Sequence, residues 1–258
     1  MIDLTYGLRR EQALQHGIRF GHFDSARFGL HLHARTSMTP HEKEAIASIP
    51  HMQGVVDMSH LLGHRVYENR EITYIFYRFG VEKQPTHELY NAHSARDFHT
   101  TIENLLMQEF DQELHDSFEP DFYYTGKCKD VVVTDEYNLK RLRVELTFDL
   151  HPFKIDKHLE SEDLFDSFNF DLDAFHNGLR FTVASGQPLR LYNTSLKVLL
   201  PEIQLISGSA SLQNEGGRAT LVSGAARRYP GFRLQKGMND IQVTGNGVVQ
   251  FDWRKERI

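Results

Sequence analysis

Apolar and polar positions alternate most cleanly over residues 139–150. Leu142, Val144, Leu146 and Phe148 fall on one side, and Arg141, Arg143, Glu145 and Thr147 on the other. That period of two predicts a half-buried antiparallel strand. His151–Pro152 then ends it, because proline donates nothing to a ladder. Residues 70–80 are denser. Ile72, Tyr74, Phe76 and Arg78 share one face, and Thr73, Ile75, Tyr77 and Phe79 the other. Large apolar groups on both faces predict a central strand covered on both sides. A strand of that kind needs a sandwich or a helix laid across its sheet. The period changes at residues 94–108, where Phe98, Ile102, Leu105 and Leu106 mark one face of an amphipathic helix. Ser94 reads as its N-cap and Asp97 as the capping-box acid.

Other stretches give shorter elements. Ile18 and Phe20 open a strand, His22–Arg27 turn, and residues 28–35 form a second strand in which Leu30, Leu32 and Ala34 alternate with His31, His33 and Arg35. Residues 8–14 predict a short helix ended by Gly17. Residues 36–50 read as a connector with one or two helical turns, Thr39 as cap and Pro40 in the first helical position. Strands are expected at 122–124 and 131–133 with a break at Gly126, and a turn at 135–138. From Gly178 the pattern becomes a run of strands at 179–184, 188–192, 197–207, 209–213, 219–222, 240–244 and 248–253. The punctuation is SGQP, YNTS, NEGG, QKGMN and TGNG. A spacing of about 8–12 residues predicts a β-sandwich, and Asn246–Gly247 predicts a hairpin turn. The fold class is mainly β: residues 1–152 form a sandwich-like domain with one packed helix, and residues 153–258 a second β-sandwich.

Composition supports that division. The 258 residues fit two modest domains or one large one. Residues 1–152 hold 16 Lys+Arg against 23 Asp+Glu, and residues 153–258 hold 13 against 12. Thirteen of the 15 histidines precede residue 153. An acidic first domain disfavours nucleic-acid binding as a main task. No apolar run approaches the ~18 residues of a membrane span, so no membrane partner is expected. The opening MIDLTYGLRREQALQHG lacks the apolar core of a secretory signal. The single cysteine, Cys128, fits synthesis in a reducing cytosol.

Candidate chemistry is sparse. His31 and His33 form half of a metal site, with no completing signature elsewhere. Lys127 and Lys129 flank Cys128 and would favour its thiolate, against the plainer reading of a strand residue between exposed lysines. Glu160, Glu162, Asp163, Asp166, Asp171 and Asp173 crowd residues 155–176 without the spacing of a calcium loop. They read as a solvated connector or as a glycosidase acid pair. Arg227, Arg228, Arg254, Lys255 and Arg257 read as an anion contact or a solvated edge. Phosphate loops, nucleophile elbows and zinc spacings do not occur in the C-terminal part. No catalytic residue, cofactor or metal is assigned.

Several stretches, in order, resemble the distal tail proteins of long-tailed bacteriophages. They are FGHFDSARFGL, then GVVDMS followed by YENREITYIFY, then the helix, then DFYYTGKCKD and LTFDLHPFK, and near the end YPGFRLQKGMNDIQVTGNGVVQFDW. The resemblance implies a structural protein without catalysis. It implies a homo-hexameric ring at the end of the tail tube, with N-terminal domains around the channel and galectin-like C-terminal sandwiches outward. The implied partners are the tail tube protein, the tail-tip hub and receptor-binding proteins, with DNA only as passing cargo. The implied location is the virion tail after synthesis in the host cytoplasm.

A second reading is a carbohydrate-binding module or cell-wall adhesin, with Tyr192, Tyr229 and Phe232 as candidate sugar platforms and Trp253 left structural. A third is a glycoside hydrolase built on the acidic connector around Glu162 and Asp166.

Overall fold

The computed structural model describes residues 16–59, 65–79, 92–108, 110–139, 141–160 and 179–258. The helix expected at 8–14 and most of the acidic connector lie outside these residues. The protein is mainly β, with sheets packed as sandwiches. It divides into two compact units, Met1–Lys154 with Ile258, and Ile155–Arg257.

In the first unit β1 (Ile18–Phe20), β2 (Phe23–Asp24) and β3 (His31–Ser37) come first. A small hairpin follows, β4 (Ile46–Ala47) with β5 (Val56–Asp57), and then β6 (Arg70–Phe79). The helix α1 (Ala92–Met107) leads to β7 (Gln112–Asp116), β8 (Phe122–Glu136) and β9 (Arg141–Leu150). The main sheet runs β2-β1-β7-β8-β9-β6-β3, antiparallel at every step. It rolls up, because Phe20 on β1 meets Phe148 on β9 at 5.1 Å between ring centroids. Inside the roll lie Ile72, Tyr74 and Phe76 of β6 and Leu142, Val144, Leu146, Phe148 and Leu150 of β9, in strict alternation. Phe98, Ile102 and Leu106 of α1 join the same core. The helix starts at Ala92, so Ser94 is inside its first turn rather than capping it.

Three local expectations fail here. Residues 36–50 carry no helical turn; the chain forms β4 there. β8 runs without a break through Gly126, where a Cβ would stand 2.3 Å from the Asp149 carbonyl oxygen. Glycine marks a close backbone approach rather than a turn. The second face of β6 is only partly covered: Thr73 and Ile75 are half-buried, and Phe79 is exposed.

The second unit holds β10 (Lys154–Asp156, which begins one residue before the division), β11 (Arg180–Val183), β12 (Pro188–Asn193), β13 (Glu202–Asn214), β14 (Gly217–Thr220), β15 (Arg227–Arg228), β16 (Gly237–Asp252) and β17 (Glu256–Arg257). Two long strands, β13 and β16, pair along most of their length. β11 and β12 share the outer edge of β16, and β14 and β15 that of β13. The hairpin expected at Asn246–Gly247 does not form. Asn246 lies opposite Ser209 and Gly247 opposite Gly208, in the middle of the ribbon. Gly208 has φ +88°, and a Cβ on it would stand 2.2 Å from the Asn246 carbonyl oxygen. These glycines let the two backbones cross at a bend, and a bulge between Leu205 and Ser207 shifts the register beside it. Ile203 and Leu205 on one side of the bend, and Ala210 and Leu212 on the other, all face one core. The tight turn in this region is Glu215–Gly216, between β13 and β14.

Candidate functional site

The densest polar cluster lies in the first unit. β3 brings Arg35, β6 brings Arg70 and Tyr74, β7 ends at Asp116, the next turn carries Glu119, and β8 brings Tyr124. The Arg35 guanidinium spans two carboxylates: its Nε is 2.6 Å from Asp116 Oδ2 and its Nη2 donates to Glu119 Oε2 at 2.7 Å. The Tyr74 hydroxyl donates to Asp116 Oδ2 at 2.8 Å, and the Phe118 N–H to Oδ1 at 2.9 Å. Tyr124 and Lys154 each donate to Glu119 at 2.5 Å. β3 and β7 stand four places apart in the sheet, so this cluster pins the roll closed.

Burial works against the charge of Arg35, but Tyr74, Asp116 and Glu119 outweigh it and hold the guanidinium above its ordinary value. Burial, then Asp116, push the Tyr74 phenol up. Burial, then Glu119, push Tyr124 up to about 12. Hydroxyls held protonated in this way donate hydrogen bonds and do not attack. The cluster is a clamp of ion pairs and donated hydroxyls, with the buried Arg70 Nε left without a hydrogen-bond partner among the described residues.

Glu119 carries a pH consequence. Burial opposes its charge, but Lys154 and Tyr124 as donors, with the charges of Lys154 and Arg35, outweigh that and hold the carboxyl below its usual range. A depressed carboxyl contributes stability that is present above its unfolded pKa, about 4.3, and lost as pH falls through the lower folded value. Melting temperatures measured across the acid range should therefore drop below about pH 4.3. Glu119→Gln should flatten that acid limb; an unchanged limb would show that Glu119 does not drive it.

The other candidates separate. His31 packs against Phe79 at 5.6 Å and His33 against Tyr77 at 4.8 Å between centroids. Among the described residues no cluster of three or more His, Cys, Asp or Glu side chains suits a metal. Cys128 is buried, and burial pushes its thiol up to about 12, opposite to activation by the flanking lysines. Of the six carboxylates singled out in the acidic connector only Glu160 is among the described residues. It is buried rather than solvated, with Lys255 Nζ 3.3 Å away. Lys255 therefore leaves the proposed anion contact, and Arg228 pairs with Glu202 at 3.0 Å.

The three aromatic platforms are not equivalent. Phe232 is 0 % exposed and belongs to the core of the second unit, so it cannot present a face to a sugar. The turn in which its N–H donates to the Tyr229 carbonyl at 2.9 Å tucks it inward. Tyr229 packs against the same core and accepts the Val222 N–H on its hydroxyl at 3.1 Å. Tyr192 stays on the outer face of β12, directly opposite Met238 on β16.

Sequence reasoning passed over one surface. Met38, Ile46, Ile49, Met52, Val55 and Met58 are each between 42 and 58 % exposed, and none joins either core. They sit on and around the β4–β5 hairpin, a two-stranded sheet separate from the main one. Its base is held to the segment entering β6: the Lys43 N–H donates to the Val66 carbonyl and the Glu68 N–H to the His41 carbonyl, both at 2.8 Å. The available signal was a run of Met, Ile and Val in a segment with no strand or helix period.

No protein-family model matches the chain, and no curated protein matches it. Among solved structures it is similar to the crystal structure of SPP1 Dit (gp 19.1), described as a paradigm of the hub adsorption apparatus in Gram-positive infecting phages. The TM-score is 0.61 at 13 % identity, over 94 % of this chain and 99 % of that one. The likeness is one of fold, and it runs nearly the full length of both proteins.

Proposed function

We propose that this chain is a structural distal tail protein of a bacteriophage, the hub that joins the tail tube to the tail tip and host-adsorption apparatus. The observation that carries this reading is the nearly full-length likeness to a phage hub adsorption protein. A shared single domain would say little, since folds are reused; a match spanning the whole chain is more demanding. In this reading the protein has no catalytic role.

The finer proposal is a homo-hexameric ring. The N-terminal unit, residues 1–152 in the sequence division, forms the ring, and the galectin-like C-terminal unit carries peripheral attachments. Tail tube, tail-tip hub and receptor-binding proteins are its partners. The six exposed apolar side chains on and around β4–β5 support assembly, since apolar groups left in solvent and belonging to neither core gain by being covered. The acidic balance of residues 1–152 suits a channel through which DNA passes without sticking.

Light scattering on the purified chain tests the reading. Six copies of the 29.9 kDa chain give a mass of about 180 kDa. A strictly monomeric chain, also in the presence of its tail-tube partner, would refute the ring.

A further inference from the structure

We propose that the outer face of the second unit's sheet, where β12, β13 and β16 meet, binds a neutral oligosaccharide. This inference rests on the local geometry and stands apart from the hub reading.

An open cleft of about 390 Å³ lies there, within the ~300–1,000 Å³ of small-ligand sites. Its wall is unusual in being built from amides: Gln213, Asn214, Gln235 and Gln242, with the carboxylates of Glu215 and Asp240. An amide offers both a donor and an acceptor, as a sugar hydroxyl does, so a row of amides matches a row of hydroxyls. The register brings the row together, since Gln242 stands directly opposite Gln213 across the β13–β16 pair. Asn214 is held by donating to the Arg233 carbonyl at 2.8 Å. Its own Oδ1 is buried without a hydrogen-bond partner. That oxygen is closed off from solvent, so Asn214 shapes the wall and the hydroxyl contacts fall to Gln213, Gln235 and Gln242.

The cleft also has an apolar ledge. Met238 lines it and is 59 % exposed, and Tyr192, 40 % exposed, stands directly across the β12–β16 pair from Met238. Opposite residues of an antiparallel pair share a face with Cβ atoms about 5 Å apart. A pyranose has the same division, a C–H face for the ledge and hydroxyl edges for the amides. The lining has no Lys or Arg. Arg190, beside it, is engaged by Asp240 at 2.7 Å. Glu215 and the Arg190–Asp240 pair leave the wall with no excess positive charge, which favours a neutral sugar over an anionic one. Tyr229 and Phe232 have no place in this site.

The test is titration of the full chain with chitobiose, lactose and maltose, together with a glycan array carrying neutral and anionic oligosaccharides. The expected result is millimolar or tighter binding to a neutral glycan, weakened about tenfold or more by Tyr192→Ala and by Gln242→Ala. Tyr229→Phe should leave it unchanged. All three positions are on the surface or lose only a hydroxyl, and circular dichroism confirms folding. No neutral glycan bound, binding of anionic glycans alone, or binding unaffected by both cleft variants would each overturn the proposal. Assembly mass, read separately, is untouched by any of these outcomes.

Discussion

Arg35→Ala should destabilise the first unit by about 3–5 kcal/mol, the cost of breaking a buried ion pair from one side. Asp116 is 3 % exposed. Without the guanidinium it keeps the Tyr74 hydroxyl and the Phe118 N–H but has no cation against its charge. Glu119 would retain Lys154, so the loss falls mainly on Asp116. Arg35→Lys should recover only part of the stability, since one ammonium cannot fork between two carboxylates as the guanidinium does. Adding Asp116→Asn to Arg35→Ala removes the stranded charge and should restore a large share. Urea denaturation of the four proteins checks this. A change under about 1 kcal/mol for Arg35→Ala would mean that the clamp does not hold the sheet closed.

The second large effect concerns assembly. If the chain forms the proposed ring through this surface, Met52→Asp with Val55→Asp should convert it into single chains without lowering the melting temperature. Both side chains are more than half exposed and belong to neither core, so folding does not depend on them. If a neighbouring copy covers them, each variant loses about 1 kcal/mol of apolar burial and buries a carboxylate, which costs several kcal/mol more. A weakening of well over a hundredfold per contact follows. Light scattering at micromolar protein reads it directly. A variant that keeps the parent mass would place the ring contacts elsewhere.

What the sequence made legible follows from the range of each signal. The alternation of residues 141–150 and the apolar stripe Phe98–Ile102–Leu106 are local, and both elements stand where the pattern put them. Asn246–Gly247 is equally local but misleads. Its glycine serves a close crossing with Gly208, a partner 39 positions away, and no turn forms. Phe232 looked like a surface aromatic in a Pro/Gly segment, yet a single turn tucks it into the core. The clamp could not be read at all. Arg35 and Asp116 are 81 positions apart and meet only because the sheet rolls. The amide cleft was hidden for a related reason: Gln213 and Gln242 are ordinary polar strand residues until the register sets them face to face. Of the residues proposed for that site, only Tyr192 was singled out in the sequence, as a candidate sugar platform.

The central claim is a closed ring with an open centre. Negative-stain imaging of the purified assembly, classified without imposed symmetry, tests it most directly. The account predicts six-fold top views with a central hole and small outer lobes. Compact particles without a hole, or two-fold symmetric pairs, would contradict it.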